Sequence, residues 1–250
     1  MGSEQERQTV SFEQRWRDRF QGWADKHEDD AGIAGWSPTG LEARLRNFAR
    51  LWRADAADGV WLDAGCGAGT YTRFLASQQM RVVGMDYCLP AVQKASQRDN
   101  GDNAWCVADV RRLPVRQGAF DGALCFGVMQ ALTESGPALQ ELSSVVRCGG
   151  QVWIDALNGH CLPHLWERLR RRLAGLPPHV RYESPRQLQR LMRRYGLEDV
   201  QLYWVPILPG ALQRFQGLLE TAWVRWLIRH VPLLGALISH AFVLRARRSC

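Results

Sequence analysis

From residue 60 to residue 156 short apolar runs alternate with helix-like segments, and no other feature constrains the fold so tightly. Residues 60–63, 81–86, 104–107, 120–126 and 151–156 read as strands. Residues 70–79, 89–98 and 134–147 read as helices between them, and Cys148-Gly149-Gly150 as a turn. Strands separated by helices predict a parallel sheet covered on both faces. Two later strand-like runs, 200–205 and 239–247, bring the total to about seven. The expected class is α/β, a Rossmann-like, doubly wound and mostly parallel sheet. Ligands of such sheets sit at the carboxyl ends of the strands.

Three of those ends carry acids: Asp63, Asp86 and Asp109. The first opens a turn, Asp63-Ala64-Gly65-Cys66-Gly67-Ala68-Gly69, with glycine at alternate positions. Glycine lacks a Cβ, so such a turn can adopt positive φ and let a ligand press on bare backbone. Opening a helix, it is expected to offer amide N–H groups as well. The spacing departs from the G-x-G-x-x-G dinucleotide fingerprint. Asp86 lies one strand–helix–strand unit further on, where a carboxylate can accept two ribose hydroxyls as charge-assisted hydrogen bonds.

The pattern D-x-G-x-G-x-G resembles motif I of the class I S-adenosylmethionine-dependent methyltransferases, in particular the small-molecule, type 11-like branch. Ala108-Asp109-Val110, Phe120-Asp121-Gly122-Ala123-Leu124-Cys125-Phe126 and Arg147-Cys148-Gly149-Gly150 follow in the order that family requires. The resemblance covers residues 58–156. It implies S-adenosyl-L-methionine as cofactor and assigns the turn (Asp63, Ala64, Gly65, Cys66, Gly67 and Gly69) to its amino acid part. Asp86 would bind ribose, Tyr87 would flank adenine, Asp109 and Val110 would read the adenine edge, and Phe126 would lie under the sulfonium. Arg44, on the helix before the core, is a candidate partner for the cofactor carboxylate. No metal is expected.

The methyl donor carries its own leaving group, so alignment of nucleophile, methyl and sulfur is most of the catalytic task. A base is needed only if the acceptor must lose a proton. Where the family often has histidine after the fourth strand, this chain has Gln130. His160, Tyr182, His164 and His179 lie in the segment expected to cover the site, and Asp155 and Asn158 near the end of the fifth strand. Of these, His160, Tyr182 and Gln130 are the candidate catalytic residues. The Asn/Asp-Pro-Pro-Tyr/Phe pattern and a Pro-Cys nucleophile are both absent, which argues against a nucleic-acid base as acceptor.

Three segments organise the chain: N-terminal helices over 1–57, the cofactor-binding core over 58–156, and substrate-side helices and closing strands over 157–250. Phe12, Trp16, Phe20 and Trp23 form one helical stripe, and Leu41, Leu45, Phe48, Leu51 and Trp52 another. Residues 160–175 set Leu162, Leu165, Trp166, Leu169 and Leu173 against Arg168, Arg170, Arg171 and Arg172. Between the last two strands lies a long apolar insertion, 206–238. Its longest charge-free stretch, 231–244, is shorter than the ~20 residues that span a bilayer. The insertion reads either as a helical lid packed on the sheet or, with 160–175, as a surface for peripheral membrane contact. A small, hydrophobic, lipid-like or isoprenoid acceptor fits both, with O-methylation favoured over N or C. A non-catalytic cofactor-binding regulator and an RNA methyltransferase remain open as alternatives.

The formal charge of +7 is almost all arginine, since Lys26 and Lys94 are the only lysines. Seven scattered cysteines, never spaced C-x-x-C, suggest neither a disulfide framework nor a zinc site. A polar N-terminus without an apolar leader points to the cytoplasm, with the inner face of a membrane as a further location.

Overall fold

The computed structural model describes residues 11–53, 58–101, 103–208 and 210–250. The first ten residues, on which the reading of the N-terminus rests, lie outside the described residues, as do 54–57 of the N-terminal segment. Three helices come first: α1 (Phe12–Lys26), α2 (Asp30–Ile33) and α3 (Pro38–Leu51). The serines before α1 and α3 cap them, Ser11 Oγ accepting from Gln14 N–H and Ser37 Oγ from Gly40 N–H, both at 3.1 Å. The alternating unit follows as β1 (Val60–Ala64), α4 (Thr70–Ser77), β2 (Arg81–Asp86), α5 (Leu89–Gln97), β3 (Ala104–Val107), β4 (Phe120–Cys125), α6 (Gly136–Val145) and β5 (Val146–Leu157). Then come α7 (Leu162–Leu173), α8 (Pro185–Arg194), β6 (Leu197–Val205), four-residue α9 (Gln216–Leu219), α10 (Ala222–His230), α11 (Pro232–Ile238) and β7 (Ala241–Arg248).

The seven strands form one sheet in the order β3-β2-β1-β4-β5-β7-β6. The first five are parallel, and β7 runs antiparallel to both β5 and β6. Side chains alternate between faces along each strand, and both faces are apolar here. Leu62, Ala123, Ile154 and Leu244 pack with Leu139 and Leu142 of α6 and Leu188 and Met192 of α8. Trp61, Leu124, Trp153 and Val243 pack on the other face with Phe48 of α3 and Leu75 of α4.

One element departs from the sequence expectation. No turn separates α6 from the fifth strand, because β5 begins at Val146. Val146 pairs with Phe120 and Gln151 with Gly122, so Arg147–Gly150 bulge out of a continuous strand, with Gly149 at φ 74°. The apolar insertion is a chain of short helices, opened by a 3-10 segment over Gly210–Phe215. Among the described residues no helix is long and apolar enough to cross a membrane.

Candidate functional site

A cavity runs along the carboxyl ends of β3, β2, β1, β4 and β5. Its empty volume, open mouth included, is about 1100 Å³. At its centre is the glycine turn, with positive φ at Gly65, Gly67 and Gly69. The N–H groups of Gly65 and Cys66 donate to Met85 O (2.7 and 3.1 Å), that of Gly67 to Asp86 Oδ2 (2.9 Å) and that of Gly69 to Cys66 O (2.8 Å). Contrary to expectation, these amides are committed to β2 and to the turn itself. What the turn offers a ligand is bare backbone: a Cβ on Gly67 would meet nothing within 4 Å.

Asp86 is held between Gly67 and Cys88, whose N–H donates to Oδ1 at 2.9 Å. Burial pushes its pKa up despite these donors. Each carboxylate oxygen retains acceptor capacity toward the cavity. Tyr87 follows, its ring 5.3 Å from the Arg17 guanidinium. Asp109 is an ion-pair centre: Oδ2 accepts from Arg111 Nη2 (2.7 Å) and Arg17 Nη2 (2.5 Å), Oδ1 from Arg111 N–H (2.9 Å). The hydrogen bonds from Arg111 lead in lowering its pKa to about 2. Val110 is a buried wall residue, and Phe126 stands edge-on to Tyr71 (4.8 Å) and Phe48 (5.1 Å).

At the β5 end lies Arg44, only 6% exposed. Its Nη1 donates to Asp155 Oδ2 at 2.6 Å, and its guanidinium sits 4.0 Å from the centre of the Trp36 ring. Asp155 Oδ1 accepts from Gly127 N–H at 2.6 Å. Nε and Nη2 of Arg44 are buried without a protein partner. A buried donor in that state is costly, and on a cavity wall it marks a place for an anionic acceptor.

The remaining sequence candidates stand away from the cavity. Asp63 lies behind the turn, where its carboxylate accepts from Thr72 Oγ1 (2.7 Å) and burial pushes its pKa up to about 6. Ala64 and Gly69 also fall outside the lining. Gln130 donates back to Gly127 O at 2.7 Å. His160 is exposed beside Ser184, and Tyr182 and His179 do not reach the wall. Asn158 donates to Ala236 O (2.7 Å) and Ser239 O (2.8 Å), tying the end of α11 to β5. His164 donates from Nδ1 to Asn158 O (2.8 Å) and accepts at Nε2 from His240 (2.9 Å).

Among the lining residues the sequence reading did not assign to the site are several from α1 and α2, which cover it. Glu13, Trp16, Arg17 and Phe20 line the cavity, and the Phe12–Trp16–Phe20–Trp23 stripe was their signal. Glu13 accepts from Thr133 N–H (2.9 Å) and from Arg111. Asp30 of α2 accepts from Thr70 Oγ1 (2.6 Å), Arg98 (2.9 Å) and Arg73, fixing the cover beside the glycine turn.

The sheet order sets these groups in a row: Asp109 after β3, Asp86 on β2, the turn after β1, Phe126 after β4, Asp155 with Arg44 on β5. Four strand spacings put its ends roughly 19 Å apart. Its acceptor, open backbone and unpaired cation suit a long ligand with a diol and a carboxylate, and S-adenosylmethionine fits both.

Residues 62–154 match the family model described as a methyltransferase domain. Over that span the chain is similar to the S-adenosylmethionine-dependent methyltransferases. The malonyl-[acyl-carrier protein] O-methyltransferase of Pseudescherichia vulneris is 33% identical over 115 residues, 45% of this chain and 45% of that protein. The chain thus matches about half the length of that curated relative. The human probable tRNA methyltransferase 9B is 36% identical over 95 residues, 37% of this chain and 20% of that protein. Phosphoethanolamine N-methyltransferase 2 of Haemonchus contortus, solved with S-adenosyl-L-methionine, shares the fold. The TM-score is 0.67 at 16% identity, over 97% of this chain and 61% of that one.

Proposed function

We propose that this chain transfers a methyl group from S-adenosylmethionine to an oxygen of a small, apolar acceptor. The observation that carries this reading is the ordered row from Asp109 to Arg44 along the strand ends. Asp86 accepts the ribose hydroxyls, Gly67 admits the amino acid part, and the free nitrogens of Arg44 bind its carboxylate. Tyr87 and Val110 enclose the base. Asp109, already paired with Arg17 and Arg111, holds α1 down over it. Phe126 and Tyr71 wall the sulfonium, whose cationic character suits aromatic faces.

Bound there, S-adenosylmethionine supplies a methyl group on a positively charged sulfur with its own leaving group. The chain's part is alignment and exclusion of water. Trp36, Leu41, Val128, Ala131 and Leu132 make the neighbouring wall apolar, which favours an acceptor with an apolar body. None of the sequence candidates lines this wall: Gln130, His160 and Tyr182 lie off it, the carboxylates Glu13 and Asp155 that do line the cavity are paired with Arg111 and Arg44, and burial raises the Tyr71 hydroxyl pKa well above its usual value. An acceptor that needs no deprotonation is therefore favoured, and a carboxylate is one. It attacks through an oxygen lone pair, forms the C–O bond as the C–S bond breaks, and leaves a methyl ester. The O-methyltransferase name of the bacterial relative supports the same choice.

The human relative's name favours a second reading, methylation of tRNA. Incubation with methyl-labelled donor separates the two. Label is expected in small or lipid-like carboxylic acids, released by alkali as volatile methanol. Label retained in tRNA would overturn the reading, and cofactor binding without turnover on any acceptor class would support the non-catalytic alternative.

A further inference from the structure

The helix α7 is amphipathic, yet it sits on the molecule the wrong way round for a protein in water. Its one buried side chain is His164. Glu167 and Arg171 share the inward side, their side chains only 28% and 23% exposed. The apolar stripe Leu162, Leu165, Trp166, Leu169 and Leu173 faces outward instead, with Trp166 68% and Leu173 80% exposed. The apolar insertion repeats this. Leu218, Trp223, Trp226 and Leu233 are all more than half exposed.

The two surfaces are joined. Asn158 holds the C-terminal end of α11 through Ala236 and Ser239, and its carbonyl anchors His164 of α7. The insertion also contacts the segment that borders the cavity. Gln213 donates to Ser37 Oγ at 2.8 Å, next to Trp36 on the cavity wall.

The charge on this surface has one sign. Arg168, Arg170 and Arg172 are exposed along α7, and Arg225 and Arg229 along α10. The acids within these segments are already engaged. Glu167 bonds Arg170, and Glu220 pairs with Arg46 and Arg50 of α3. Exposed tryptophan and leucine beside Arg168, Arg172, Arg225 and Arg229, which have no carboxylate bridge among the described residues, match the interface of an anionic bilayer, where rings sit among the headgroups and guanidinium groups meet phosphates.

We propose that α7 and the α10–α11 segment dock this protein onto an anionic lipid surface, with the cavity mouth beside the bilayer. An apolar acceptor would then enter from the membrane. Docking itself does not depend on the methyl-transfer reading, because vesicle binding is measured without turnover.

The test is flotation of the full chain with vesicles of phosphatidylcholine alone and with added phosphatidylglycerol. Binding is expected only with phosphatidylglycerol and is expected to weaken as salt rises. Replacing Arg168, Arg170 and Arg172 with Gln should weaken it about fivefold per residue. Trp166→Ala with Trp223→Ala and Trp226→Ala should abolish flotation with an unchanged melting temperature, since these rings are exposed. Flotation unaffected by both sets of variants, equal binding to the neutral vesicles, or no flotation at all would overturn the proposal. So would a stable dimer that the tryptophan variants dissolve, because the apolar face would then be covered by a second copy.

Discussion

Gly65 and Gly67 share a positive φ but not a reason for being glycine. A Cβ on Gly65 would come within 2.1 Å of Val128, whereas one on Gly67 would project into open space at φ 51°. The two positions therefore fail differently. Gly67→Ala adds left-handed strain of about 1 kcal/mol, a drop of about 2 °C in melting temperature. It also fills the space a ligand must occupy, so affinity for S-adenosylhomocysteine should fall more than tenfold. Gly65→Ala adds a collision to the strain and should lose stability and binding together. Thermal melts and calorimetric titration of both variants check this, and equal losses in the two would contradict it. The placement of Gly65, Gly67 and Asp86 on the cavity was legible because strand ends and turn geometry are local. Asp63 was misleading from sequence, since strand alternation turns it to the α4 face, where Thr72 holds it. Nor did sequence spacing show Asp109 paired with Arg17, from a helix far away in the chain.

Elements follow the same division. The alternating unit was readable because period-two and period-3.6 apolar patterns switch cleanly between β1 and β5. The orientation of α7 was not readable, because an amphipathic pattern says which side is apolar but not what faces it. The helix is held by polar contacts instead, among them the bonds from His164 to Asn158 O and from His240 to His164. Burial lowers the pKa of both imidazoles, and nearby Arg44 adds to it. Their folded values therefore lie below the unfolded value of about 6.5. The stability they permit is complete above that value and is lost as pH falls below it, because the unfolded chain takes up protons first. Hydrogen-exchange protection of residues 162–173, corrected for intrinsic rates, should fall between pH 7.5 and 5.5, while that of β1 and β4 holds. Protection of α7 that is unchanged by acid would show that the histidine pair does not anchor it.

At the scale of the whole molecule, the sheet order does the organising. It sets side chains distant in sequence along one edge, from Asp109 to Arg44, and the N-terminal helices close over them. The core and the row of residues along its strand ends were legible in the sequence, because they depend on strand order and strand ends. The acceptor side was legible only as two alternatives, because it depends on how short helices pack over one another. The central claim is that the edge from Asp109 to Arg44 holds S-adenosylmethionine. Isothermal titration of the full chain with S-adenosylhomocysteine, alongside Asp86→Ala and Arg44→Gln, tests it most directly. One site per chain is predicted, with binding lost in Asp86→Ala and weakened at least tenfold in Arg44→Gln. No binding by the unaltered chain, or affinity unchanged in both variants, would contradict it.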